Sequence, residues 1–185
     1  MTVDKVMRLP QLANAIATVG NWLQTAYSGA KAASHAVACP SVPAFLALDM
    51  EEMGDALLAG PISGALGRAA GWLRGNGAQV IWEADADCAF TASITRRSIT
   101  HLVVDVDRLG GIETLLEPLL ALRKVRPDLV VILVSHDFLL DDYGTERLFL
   151  CDASLRAPLS FAALEMALSE AAQDNNRIWK ARLAA

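Results

Sequence analysis

Two short, mainly apolar runs, "HLVVDV" (101–106) and "LVVILVS" (129–135), constrain this chain most. Each is too short to be a core helix, and each is rich in β-branched residues. Neither alternates apolar with polar, so each reads as a strand buried on both faces. Strands of that kind belong to a parallel sheet covered by helices on either side. Between them lies "IETLLEPLLALRKV" (112–125), a helical pattern with a proline inside it.

The same alternation extends in both directions. "AFLAL" (44–48) reads as a first short strand, and "EEMGDALLAGP" (51–61) as a loop or helical turn broken by Gly54, Gly60 and Pro61. "ISGALGRAAGWLRGNG" (62–77) carries Ile62, Leu66, Ala69, Ala70 and Leu73 at helical spacing and stops at its glycines. Gly64, Gly67, Gly71 and Gly75 share one side of it, which points to close packing against a sheet. "AQVIWEA" (78–84) is strand-like, "CAFTASITRR" (88–97) weakly helical, "RLFLCD" (147–152) a strand, and "SFAALEMALSEAAQ" (160–173) a closing helix. From residue 44 the pattern is strand then helix, five times over. Right-handed crossovers leave few topologies for that pattern. The expected fold is therefore α/β and flavodoxin-like: a doubly wound five-stranded parallel sheet of order 2-1-3-4-5, with an extra N-terminal helix. The expected division is an N-terminal helical segment and linker at 1–43, the α/β domain at 44–173 and a C-terminal tail at 174–185.

Composition sets limits on function. The chain of 185 residues is 54% hydrophobic and 20% charged, enough for a full core. Its net charge of -5 and pI of about 5.1, with no basic stripe, argue against nucleic acid as a partner. Cys39, Cys88 and Cys151 are odd in number and far apart, which indicates reduced thiols in a cytoplasmic protein. Residues 9–30 lack charge, but Gln11, Asn14, Asn21 and Gln24 interrupt them, so no membrane span is expected. There is no phosphate-binding GxxxxGK[ST] loop and no GxSxG or HExxH motif.

In such a sheet the functional groups collect where the strands end. Asp49, with Glu51 beyond it, closes the first expected strand. Asp105 closes "HLVVD", with Asp107 two residues on. Ser135 closes "LVVILVS" and is followed by His136 and Asp137. The last strand leads into Ala157-Pro158. Carboxylates and a hydroxyl at one sheet edge can hold a divalent cation and can direct an aspartate at phosphate.

These residues resemble a known family, the receiver domains of bacterial two-component response regulators. The resemblance spans roughly residues 44–173. It rests on "HLVVDV", "RPDLVVILVS" and "CDASLRAPLSFAALEMAL". It implies Asp105 as the phosphate-accepting aspartate and Ser135 as the switch hydroxyl. Asp49, Glu51 and Asp105 would then hold Mg2+, and a cis bond would precede Pro158. The chain also departs from the family. Ala157 stands where receivers carry lysine, and the adjacent Arg156 points to the opposite face of its strand. Met50 replaces the second acid of strand 1. "DRLGG" lacks the usual Met-Pro after the aspartate, and about ten extra residues separate strand 1 from helix 1.

The resemblance thus implies a signalling module and not an enzyme: a stand-alone receiver-like protein, degenerate in phosphoryl chemistry, binding Mg2+ weakly. It would act through protein contacts on its helix 4, strand 5, helix 5 face, with a histidine kinase or phosphotransfer protein among its partners. The alternative is a flavodoxin-like binder of a small molecule or nucleotide in the same crevice. The stripe Leu9, Leu12, Ile16, Val19, Leu23 and Ala26 has coiled-coil rhythm, and a homodimer through that helix is expected.

Overall fold

A computed structural model describes residues 54–185. Its first strand, β1, is Asp55–Ala59, in the stretch read from sequence as a loop. The expected strand at 44–48 lies outside the described residues, and the sheet is complete without it. The order is β2-β1-β3-β4-β5, all parallel, with β2 at Val80–Glu83, β3 at Ile99–Asp105, β4 at Val130–Ser135 and β5 at Ala153–Arg156. Moving β1 eleven residues along the chain removes the supposed insertion: only Gly60–Ser63 separate β1 from the first helix.

That helix, α1 (Gly64–Gly75), starts at Ser63, whose side chain accepts the Leu66 amide as an N-cap. Leu66, Ala69, Ala70 and Leu73 turn inward, as their spacing requires. The glycines do not. Gly64, Gly67, Gly71 and Gly75 are exposed, and a Cβ at any of them would meet nothing within 4 Å. The expectation that they pack on the sheet is wrong. The alanines and leucines fill that side, and the glycines fall on the solvent side.

One sheet face carries Ala56, Leu58, Val103, Ile132, Val134 and Leu155 against α1 and against the C-terminal helix. By alternation, Leu57, Leu102, Val104, Val131 and Leu133 point to the other face, and all are buried. There α2 (Ala86–Thr95) and α3 (Ile112–Val125) contribute Ala89, Phe90, Leu115, Leu119 and Leu122. Pro118 lies inside α3.

The connection from β4 to β5 contains no α-helix. Residues 136–152 form turns and one 3-10 turn, Thr145–Arg147. The expected strand at 147–152 is part of this connection, with Leu148, Leu150 and Cys151 buried under it, and β5 starts at Ala153. A face built on a helix 4 therefore does not exist here. The connection is held from below by Arg123 of α3, which is fully buried. Its guanidinium makes two bonds to the Asp152 carboxylate at 2.8 and 2.9 Å and others to the Leu148 and Leu129 carbonyls. Trp179 stacks on that guanidinium, 5.3 Å from its ring centroid.

Trp179 belongs to the segment read as a tail. The closing helix does not stop at 173. It runs as α4 (Phe161–Met166), a π-helical turn (Ala167–Ala171) and α5 (Ala172–Ala184). Asn175 and Asn176 are buried on it. Their amides donate to the carbonyls of Tyr143 and Asp152, and of Pro127 and Leu129. Among the described residues, no helix is long and apolar enough to cross a membrane.

Candidate functional site

The C-terminal ends of β1, β3, β4 and β5 meet at one edge, and the site residues that fall within the description gather there. Asp105 ends β3 and is 5% exposed. Its Oδ2 accepts the Ser63 hydroxyl at 2.8 Å, and its Oδ1 accepts the Arg108 amide at 3.2 Å. Ser63 is well placed to do this because it stands at the junction of the β1 exit and the α1 N-terminus. Its oxygen accepts the Leu66 amide at 3.1 Å while its proton goes to Asp105.

Ser135 ends β4 and is 2% exposed. Its hydroxyl donates to Asp107 Oδ1, not to Asp105, and the His136 amide donates to Asp107 Oδ2 at 2.7 Å. The two hydroxyls and two carboxylates at this edge are thus paired separately: Ser63 with Asp105, Ser135 with Asp107.

The end of β1 is Ala59–Gly60–Pro61, which carries no acid. Gly60 has φ +130°, and a Cβ there would lie 3.1 Å from Asp105 Cβ and 3.4 Å from Leu66 Cδ1. Its carbonyl accepts the Trp82 indole N–H at 2.7 Å, and its amide donates to the Glu83 carbonyl at 2.8 Å. Close approach to Asp105 and a left-handed backbone both demand glycine here.

Asp49, Met50 and Glu51 were assigned to the end of strand 1 because strand 1 was placed at 44–48. They precede β1 instead, so that assignment loses its basis, and all three lie outside the described residues. Divalent magnesium requires converging oxygen ligands, usually carboxylates and water. Among the described residues, no group of three or more acidic, histidine or cysteine side chains could hold a metal. Asp105 faces a serine and a glycine, and the residues described around it do not fit Mg2+.

On the fourth strand end, the Ala157–Pro158 peptide is cis and Ala157 is buried. Arg156 does not reach the site. Its guanidinium donates to the Leu139 carbonyl at 3.0 Å and its amide to Asp141 at 2.8 Å, both on the outer side of β5. A cation from another element reaches the residue just past this junction: Arg68 of α1 donates to the Leu159 carbonyl at 3.0 Å.

Sequence reasoning missed Ser63 and Gly60 as site residues, and it named Asp107 at the strand end without giving it a role. The signal for Ser63 was available, since a serine before "GALGRAAGWL" is an N-cap pattern. It was overlooked because the preceding strand was assigned elsewhere.

Five parallel strands in the order 2-1-3-4-5, with helices on both faces and Asp105 at the end of β3, give this chain the receiver-domain fold. Solved structures agree. The chain is similar to a CheY-like response regulator receiver domain from Methanospirillum hungatei JF-1, at 17% identity and TM-score 0.51, over 68% of this chain and 98% of that one. A second CheY-like receiver domain, from Methylobacillus flagellatus, matches at 22% identity and TM-score 0.50, over 64% and 98%. A putative pilus assembly-related protein from Burkholderia pseudomallei K96243 matches at 23% identity and TM-score 0.52, over 68% and 93%. No family model and no curated protein matches the sequence. At these identities the likeness is one of fold.

Proposed function

We propose that this protein is a receiver-like signalling module of the cytoplasm that acts through protein contacts and has lost metal-dependent phosphoryl transfer. The observation that carries the proposal is the engagement of Asp105. Its carboxylate accepts hydrogen bonds from a hydroxyl and an amide, and the end of β1 beside it, Gly60 and Pro61, carries no acid. Ala157, where receivers carry lysine, removes a further charge-assisted contact, worth roughly 1.5–3 kcal/mol. Protein contact as the mode of action is supported by large apolar side chains left in water. Leu140 is 66% exposed, Phe161 64% and Met166 55%, in the β4–β5 connection and on α4.

The test is incubation of the purified protein with Mg2+ and acetyl phosphate, read by intact mass. The expected result is no gain of a phosphoryl group. A stoichiometric gain that disappears in Asp105→Asn overturns the loss of phosphoryl chemistry. We further propose a homodimer formed through the apolar stripe from Leu9 to Ala26, on the sequence pattern alone. Light scattering of the full chain and of Ile16→Glu decides it: the wild type is expected to be a dimer and the variant a monomer.

A further inference from the structure

Asp107, which opens the 3-10 turn Asp107–Leu109 after β3, is bonded unlike an ordinary surface acid. Its two oxygens are taken by the last residue of β4 and the one after it: Oδ1 by the Ser135 hydroxyl and Oδ2 by the His136 amide at 2.7 Å. The Ser135 oxygen in turn accepts the Asp137 amide at 3.0 Å. A hydroxyl and the next amide converging on one carboxylate is the donor arrangement of an anion-binding turn, where charge-assisted bonds are the strong ones. Asp105, at the neighbouring strand end, takes neither donor.

We infer that the turn leaving β4 is an anion site whose resident anion is the chain's own Asp107. This internal ligand latches the segment after β3 to the exit of β4. It holds Ser135 away from Asp105 and starts the β4–β5 connection from one fixed conformation. An external anion of carboxylate or phosphate type enters only by displacing Asp107. The inference rests on these hydrogen bonds and is independent of any signalling role.

The experiment is amide hydrogen exchange by NMR on the full chain, comparing wild type with Asp107→Ala and using sodium formate as the probe of the vacated site. The His136 and Asp137 amides are expected to exchange about tenfold faster in the variant, the effect of losing one charge-assisted hydrogen bond. Formate is expected to restore their protection, sodium chloride at equal ionic strength is not, and the Gly60 amide in β1 is expected to be unchanged throughout. Unchanged exchange at His136 and Asp137, or equal effects of formate and chloride, overturns the inference. Should Asp107→Ala fail to fold, Asp107→Asn decides. That variant keeps the size of the side chain and removes its charge, so acceleration at His136 supports the latch, and no acceleration there overturns it.

Discussion

The Ser63 hydroxyl donates to Asp105 at 2.8 Å and, through the same oxygen, caps α1 by accepting the Leu66 amide at 3.1 Å. One side chain therefore serves both the helix start and the buried acid. Ser63→Ala removes both bonds at once. It is expected to lower stability by about 0.5–2 kcal/mol, the range for a lost N-cap, read from urea unfolding. Ser63→Thr keeps the hydroxyl and is expected to recover most of the loss.

His101 supplies a pH dependence. It is buried on β3, its Nε2 has no hydrogen-bond partner among the described residues, and burial pushes its pKa down from 6.5 to about 4. The unfolded chain takes up this proton near its ordinary value, and the folded chain only near 4. Stability is therefore full above that ordinary value, falls as pH drops through the window, and has lost about 3 kcal/mol below the folded value. Unfolding measured across this range is expected to be flatter in His101→Leu than in the wild type. Parallel curves would show that His101 does not titrate in this way.

The outward glycines of α1 are expected to be stabilising sites. Gly67 and Gly71 lie inside the helix, face open space and have no positive φ. Gly67→Ala and Gly71→Ala should each raise stability by about 0.5–1 kcal/mol. Thermal denaturation of the single and double variants checks this, and the two effects should add.

Arg123 and Asp152 form an ion pair whose side chains are both 0% exposed. Removing one partner strands the other charge in the interior. Asp152→Ala or Arg123→Ala should each cost about 3–5 kcal/mol. Paired apolar replacement, Arg123→Met with Asp152→Leu, should cost much less than the sum. Denaturant melts of the four proteins make the comparison.

The strands that could be read from sequence are the ones whose residues leave no alternative. "LVVILVS" and "HLVVD" are built round runs of large apolar residues, so β3 and β4 fall where expected, and with them Asp105 and Ser135 at the sheet edge. β1 was not legible, because "DALLA" has two alanines, no β-branched residue and flanking glycines, all weak strand signals. The equally short "AFLAL" competed for the role. The error carried into the site, since it brought Asp49 and Glu51 forward in place of Gly60 and Ser63. The connection from β4 to β5 failed for a different reason. Leu148, Leu150 and Cys151 are buried by tertiary packing over Arg123, and burial alone made "RLFLCD" look like a strand. Nor does any local pattern reveal that Ser135 would choose Asp107, a pairing between residues 28 positions apart.

The helix-free β4–β5 connection also closes one border of the sheet to another strand. β5 is the last strand, and its outward amides are already used: Ser154 donates to the Asp142 carbonyl at 2.9 Å, and Arg156 to the Asp141 side chain at 2.8 Å. Asp142 returns a bond to the Ser154 carbonyl at 2.8 Å, an antiparallel bridge that seals the border from outside. A strand from another chain would have to strip this connection away before it could pair there. β2, half-buried along its four residues, is the opposite border, and among the described residues it pairs with β1 alone.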